Sequence, residues 1–116
     1  MPLQLDQLAR YLEGKARAKK PVTYREVVDH FELEPLTEAW TTHSLAGAFE
    51  QLDQQDANAD RPFRTAMVYS KERSMPGPGF FHSLETRKGI VALNDDRRLE
   101  VYTHEYKATI AYNWPS

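Results

Sequence analysis

The chain has 116 residues, which is the size of one domain and leaves little room for a large catalytic cleft beside its core. Hydrophobic residues make up 41% and charged residues 28%, which argues against a disordered, collagen-like or membrane-spanning chain. No cysteine is present, so disulfides, thiolate metal sites and a cysteine nucleophile are excluded. The N-terminus lacks a basic segment followed by a long apolar one, and we therefore expect a cytoplasmic protein.

The net charge of -2 conceals a segregation of charge along the chain. Residues 32–60 contain seven Asp or Glu and no Lys or Arg, whereas residues 61–90 contain six Lys or Arg and two Asp or Glu. A basic segment suits a phosphate-bearing partner, and an acidic segment suits a basic one. An ordinary mixed surface would give similar counts, so charge alone does not decide between these interpretations.

The first half of the chain predicts three helices. Apolar residues spaced by three and four predict an amphipathic helix over residues 3–18, which Pro21 follows. Thr23 and Glu26 form a capping box for a short second helix, in which Tyr24 packs at the helix start. After the loop ELEPLTEAWTT, a third helix begins near Ser44 and ends in the polar stretch QQDANAD. Its apolar face comprises Leu45, Ala48, Phe49 and Leu52.

The second half of the chain has a different spacing of apolar residues. Residues 63–70 alternate and are rich in strand-forming side chains, which predicts a strand. The following KERSMPGPGFF predicts a hairpin loop that returns through Phe80 and Phe81. In the tail, a spacing of three to four favours a C-terminal helix, although Ile110, Tyr112 and Trp114 alone would also suit a strand. The helical positions are Leu99, Tyr102, Tyr106, Ile110 and Trp114.

These elements predict a single α+β domain over residues 1–116 with a winged-helix-like order: three N-terminal helices, a β-hairpin wing and a C-terminal helix. Three segments, VTYREVVDHF, LAGAFEQL and RPFRTAMVYSKERSMPGPGFF, resemble the winged-helix domain of the alkylguanine-DNA alkyltransferases and the alkyltransferase-like proteins. The resemblance covers residues 22–81 and implies a DNA-binding fold. The segment MVYSKERSMPGPGFF is also similar to one found in small bacterial proteins of unassigned function.

The chain departs from this family at the residues that carry its chemistry. Pro62, Phe63 and Arg64 stand where the resemblance would place Pro-Cys-His, so alkyl transfer is excluded. The helix that would read DNA contains no Lys or Arg over residues 44–60. Phosphate contacts must then come from cations on the strand and the wing, with support from the end of the first helix. The predicted nucleic-acid-binding residues are Arg61, Arg64, Lys71, Arg73, Lys19 and Lys20, with Arg17 beside the last two.

No catalytic or cofactor site is indicated, and we expect no enzyme activity, no cofactor and no metal. The four histidines show no metal-ligand spacing, and no serine lies in a nucleophile motif. Asp53, Asp56 and Asp60 are interpreted as solvated residues at the polar end of the third helix. The histidines are His30, His43, His82 and His104, and the candidate serines are Ser44, Ser70, Ser74 and Ser83.

Two functions remain open at this point. The first is non-catalytic binding of DNA or RNA through wing cations beside Phe80 and Phe81, with no membrane involved. Alternatively, Phe80 and Phe81 pack back on the core and the charges only solubilise the loop. The second is a protein–protein interaction module, which could form a homodimer. It would use the acidic region 32–60 and the aromatic tail, because Tyr and Trp are favoured at interfaces.

Overall fold

The computed structural model describes residues 3–36 and 43–114. These residues form an α+β fold that is mostly helical, with five α-helices and a two-stranded parallel sheet. The elements in chain order are α1 (Leu5–Ala18), β1 (Val22–Thr23), α2 (Tyr24–His30), α3 (Ser44–Asn58), a 3-10 helix (Arg64–Met67), β2 (Val68–Tyr69), α4 (Pro78–Lys88) and α5 (Asp95–Ala111). Part of the predicted ELEPLTEAWTT loop, residues 37–42, lies outside the described residues.

The three predicted N-terminal helices and the C-terminal helix are confirmed. The capping role of Thr23 is also observed, because its Oγ1 accepts a hydrogen bond from the Glu26 backbone N–H at 3.1 Å. Asn94 caps α5 in the same way by accepting from the Arg97 N–H at 2.8 Å. These caps satisfy backbone donors that have no partner within the helix. None of the helices in the described part of the chain is long and apolar enough to cross a membrane.

The small sheet brings two distant segments of the chain together. Val22 pairs with Val68 and Thr23 pairs with Tyr69 in parallel register. Because parallel strands run in the same direction, the residues that follow them, Tyr24 and Ser70, leave the sheet at the same end. The start of α2 therefore lies beside the segment that follows β2.

The strand predicted over residues 63–70 is wrong for most of its length, since Arg64–Met67 is a 3-10 helix and only Val68–Tyr69 is a strand. Side chains satisfy the backbone here in place of a neighbouring strand. The Phe63 N–H donates to Glu105 Oε2 at 2.8 Å, and the Phe63 carbonyl accepts from Thr109 Oγ1 at 2.8 Å. The Arg64 N–H donates to Asp56 Oδ2 at 2.9 Å.

The predicted return strand through Phe80 and Phe81 is also wrong, because both residues lie in α4. Pro78 occupies the first turn of this helix, where its missing N–H costs nothing and its fixed φ favours helical geometry. Phe80, Phe81 and Leu84 then form the buried side of the helix. One antiparallel bridge, Ser70 with Met75, closes a tight turn ahead of α4. We call residues 70–75 the cationic turn, because they include Lys71 and Arg73.

Two groups of apolar side chains form the core. The larger one joins α1, α2, α3 and the sheet, and the smaller one joins Phe63, α4 and α5. Trp114 follows the end of α5 and is 3% exposed, with its Nε1–H donating to the Thr109 carbonyl at 2.8 Å. Tyr102 is also buried. Much of the predicted aromatic tail is therefore core and not surface.

Asp53 and Asp56 do not decorate a solvated helix end, which corrects the interpretation from sequence: they are 3% and 0% exposed. Asp56 lies 3.1 Å from the Arg64 guanidinium and 2.7 Å from that of Arg61. Arg64 also pairs with Glu13 of α1 at 2.8 Å. A buried carboxylate needs partners of this kind, because an unpaired charge in the interior is strongly unfavourable.

Replacing Asp56 with Ala should destabilise the protein by about 3–5 kcal/mol, since it leaves the Arg64 guanidinium buried without its closest acidic partner in α3. The free energy of unfolding from urea titrations measures this effect. Glu50→Ala, which removes an exposed carboxylate from the same helix, is the control and should change stability by less than about 0.5 kcal/mol. A loss below about 1 kcal/mol for Asp56→Ala would contradict this account of the buried pair.

Candidate ligand groove and cationic turn

A groove of about 1680 Å³ lies between α2, α3, the start of α4 and the cationic turn. Four aromatic side chains line it, together with hydroxyls and charged groups. The aromatic residues are Tyr24, Phe49, Tyr69 and Phe80. A concave surface that combines aromatic walls with a few converging polar groups is typical of ligand sites in proteins.

Asp53 is the buried carboxyl group of this groove. Its Oδ1 accepts a hydrogen bond from Thr65 Oγ1 at 2.6 Å, and Ser83 of α4 supplies a second side-chain hydrogen bond. Burial is the main cause that raises the pKa of Asp53 from its ordinary value of 3.8 to about 7. The neighbouring Asp56 raises the pKa further, while the two hydroxyls and Arg87 oppose the rise. A carboxyl that titrates near neutral pH in a groove marks a candidate functional position.

Tyr24 connects two walls of the groove. Its hydroxyl oxygen accepts a hydrogen bond from the Gly77 N–H at 2.9 Å, and its ring lies 6.0 Å from that of Phe49. Burial raises the pKa of this phenol, which keeps it neutral. Tyr24 therefore packs at the start of α2, as predicted, and also holds the start of α4 against α2.

The structure separates the six residues predicted to bind nucleic acid. Lys71 and Arg73 are exposed on the cationic turn and line the groove. Lys19 and Lys20 are also exposed, but they precede β1 and so lie at the opposite end of the short sheet from Ser70. Arg61 is partly exposed and pairs with Asp56. Arg25 of α2, which the sequence did not single out, joins Lys71 and Arg73 in the groove lining.

Arg64 has no surface available for a phosphate and is not retained as a contact residue. Its side chain is 4% exposed, and Glu13, Asp56 and Gln55 all accept hydrogen bonds from it. The guanidinium also lies 5.8 Å from the Trp114 ring, within the range of a cation–π contact. In the sequence Arg64 lies close to exposed cations. In the fold, the groups that contact Arg64 belong to α1, α3 and the C-terminal segment.

Sequence reasoning missed Asp53 as a groove residue, although the helical period of α3 contained a signal. Asp53 follows Phe49 by four residues, and Asp56 follows Leu52 by four. Both carboxylates therefore continue the apolar face of the helix. An acidic residue at a core position requires a buried partner, so the helical period alone is sufficient to identify Asp53 and Asp56 as unusual.

The histidines show no common site. His82 lines the groove, and His43 is buried, with its Nε2 2.9 Å from the Glu34 carbonyl. Among residues 3–36 and 43–114, no group of three His, Asp or Glu side chains could hold a metal ion.

Comparisons with known proteins assign no family: no family model matches the chain, and neither the curated proteins nor the solved structures contain a significant match.

Replacing Asp53 with Asn should remove a pH dependence from the stability of the fold. Because folding raises the pKa of Asp53, the folded state keeps the carboxyl proton between about pH 4 and pH 7. The unfolded state has already released this proton over the same range. The free energy of unfolding of the wild type should therefore fall across this range, by up to about 4 kcal/mol relative to Asp53→Asn, and change little more above pH 7.

Urea titrations at several pH values between about 4.5 and 8 measure this difference. Asp6→Asn, the same substitution at an exposed position of α1, should give a curve parallel to that of the wild type. Parallel curves for Asp53→Asn and the wild type would show that Asp53 titrates near its ordinary value.

Proposed function

We propose that this protein binds nucleic acid without catalysing a reaction on it, and that the cationic turn supplies the phosphate contacts. The observation that carries the proposal is the exposure of Lys71 and Arg73 on one tight turn, with Arg25 beside them in the groove lining. Among the described residues, neither Lys71 nor Arg73 forms a salt bridge. Exposed cations of this kind provide most of the sequence-independent affinity for nucleic acid.

The element order supports a winged-helix-like arrangement for this function. Residues 5–69 run helix, strand, helix, helix, 3-10 helix, strand, and the cationic turn follows in the position that a wing would occupy. Winged-helix proteins contact nucleic acid through such elements. Because α3 contains no Lys or Arg, the turn and not this helix would supply the phosphate contacts.

The hydrogen bond of Ser44 supports a non-catalytic role for this serine. Ser44 Oγ donates to the Glu34 carboxylate at 2.7 Å. A serine nucleophile is activated by a base that can take its proton, most often a histidine. A carboxylate of ordinary or lowered pKa is a poor base for this purpose, and hydrogen bonds from Ser44 lower the pKa of Glu34.

Removing the two cations of the turn should weaken binding and reduce its salt dependence. With about three phosphate contacts, the affinity of the wild type should fall about 40-fold between 50 and 200 mM salt. The double variant Lys71→Ala with Arg73→Ala retains about one contact, so its affinity should fall only about fourfold over the same range. Fluorescence anisotropy with labelled double-stranded DNA, single-stranded DNA and RNA measures both quantities.

The matched control is Lys19→Ala with Lys20→Ala, which makes the same change in net charge at the other end of the sheet. We expect this variant to retain most of the wild-type affinity and salt dependence. Equal losses in the two double variants would show that net charge, not the turn, determines binding. Absence of salt-sensitive binding at 50 mM salt would reject the proposed function.

A second candidate function is contact with another protein chain, which a different surface favours. Leu93 is 88% exposed in the segment between α4 and α5, and Val91 and Leu99 nearby are about half exposed. Contiguous exposed apolar side chains often mark interaction surfaces, and these three residues lie within nine positions of the sequence. Of the aromatic tail predicted from the sequence, Tyr102 and Trp114 are buried, whereas Tyr112 is 41% exposed.

If this surface joins two copies of the chain, the purified protein should have a molar mass of twice 13.4 kDa in sedimentation equilibrium. Leu93→Ser should then shift the equilibrium towards the monomer, because it removes the most exposed apolar contact. Leu36→Ser, at another exposed leucine outside this segment, is the control. A wild-type protein that remains monomeric at millimolar concentration would reject the homodimer.

A further inference from the structure

The interior of the groove differs in charge from the turn at its edge. Carboxylates outnumber cations among the residues that line it. The carboxylates are Glu26, Asp29, Glu50, Asp53 and Glu72, and the cations are Arg25, Lys71 and Arg73. Lys71, Arg73 and Glu72 lie on the exposed turn, and the rest of the lining contains four carboxylates and one cation, Arg25, so acidic groups dominate the field inside the groove. A phosphate backbone that contacts the turn is therefore repelled from the interior, which is left for a ligand of another kind.

Asp53 provides an acceptor that its protein neighbours do not exhaust. An ionised carboxylate can accept about four hydrogen bonds. Thr65 and Ser83 account for two, and Asp53, although only 3% exposed, is among the residues that line the groove. Both hydroxyls are short side chains on rigid elements, so they fix the orientation of the carboxylate. The remaining capacity suits a ligand that brings N–H donors.

The aromatic rings that line the groove indicate the chemistry of the rest of the ligand. Tyr24 and Phe49 form a tilted pair with ring centres 6.0 Å apart, and both line the groove with Asp53. Ring faces attract cations through their quadrupole and also pack against hydrocarbon. A ring pair next to a buried carboxylate thus favours a positive group attached to an apolar body.

We infer that the groove binds an organic cation, an ammonium or guanidinium group on an aliphatic or aromatic body, with the charged group at Asp53 and the body against Tyr24 and Phe49. The groove is larger than the roughly 300–1,000 Å³ of an ordinary small-molecule site, so such a ligand fills one part of it. The chemistry is shared by a free amine and by a lysine or arginine side chain of a peptide. This inference does not depend on nucleic-acid binding, because it uses different residues.

Binding should depend on pH, because only the ionised form of Asp53 attracts a cation. Several charged and titratable groups lie around Asp53. They are Glu50 and Asp56 of α3, Tyr24 of α2, Arg64 of the 3-10 helix through Asp56, His82 and Arg87 of α4, and Arg73 of the cationic turn. Since the pKa of Asp53 is about 7, the ionised fraction rises about tenfold between pH 6 and pH 8. A ligand amine with a pKa near 10 stays protonated over this range.

The test is an NMR titration of the full chain with phenethylamine, with 2-phenylethanol as a neutral ligand of the same shape. We expect phenethylamine to bind about tenfold more tightly at pH 8 than at pH 6, to shift the amide signals around Asp53, and to bind more tightly than the alcohol. A second arm uses the blocked peptide acetyl-Gly-Lys-Gly-amide, which distinguishes a free amine from a lysine side chain. Equal affinity for the amine and the alcohol, or equal affinity at the two pH values, would overturn the inference.

Variants separate this site from the proposed nucleic-acid contacts. Asp53→Asn should lose the pH dependence and most of the affinity for phenethylamine, while Asp6→Asn should retain both. Lys71→Ala with Arg73→Ala should bind the amine at least as tightly as the wild type, because it removes two repelling cations. Weaker amine binding by this double variant would contradict the assignment. The comparison of amine with alcohol in the wild type keeps the test decisive even if Asp53→Asn does not fold.

Discussion

The buried carboxylate of Asp56 is the constraint on which the rest of the structure depends. It accepts hydrogen bonds from the Arg64 backbone N–H and guanidinium and from the Arg61 guanidinium, and it is itself 0% exposed. Arg64 in turn reaches Glu13, so a single group of charges joins α1, α3 and the 3-10 helix. Each ion in such a group is strongly unfavourable without its partners, and the elements that carry them must therefore remain together.

A second carboxylate fixes the same segment from the other side and so determines the form of the groove. Glu105 of α5 accepts hydrogen bonds from the Phe63 N–H and from Lys88, and the Phe63 carbonyl accepts from Thr109. With residues 63 and 64 held between α3 and α5, Thr65 is placed against Asp53. This segment is followed directly in the chain by β2 and the cationic turn, and it therefore fixes where they begin. The groove is consequently a result of the buried polar network and not of the sheet, which contributes only two pairs of residues.

The sequence predicted what depends on local patterns. Helices α1, α2, α3 and α5 follow from apolar spacing and caps that are visible within one segment, as at Thr23 and Glu26. The errors at residues 63–70 and at Phe80 and Phe81 have a different origin. The backbone of residues 63 and 64 is satisfied by Asp56 and Glu105, and Glu105 lies 42 residues from Phe63. No local pattern contains such a partner, so the alternation of side chains alone predicts a strand. The candidate groove was missed for the same reason, since its walls come from α2, α3 and α4.

The buried ion pairs also change how the segregation of charge along the sequence is interpreted. Residues 61–90 contain six cations, but Arg61, Arg64 and Lys88 each pair with a carboxylate from another part of the chain. These three charges stabilise the fold and contribute little to the field outside it. Of the acidic block 32–60, Asp53 and Asp56 are likewise buried. Charge counted along the sequence therefore overstates the basic surface. Of the three remaining cations, Lys71 and Arg73 are exposed together on the turn, and Arg87 of α4 is half-buried. A nucleic-acid partner would consequently be bound by a small contact at the turn, while the acidic interior of the adjacent groove selects for ligands of the opposite charge.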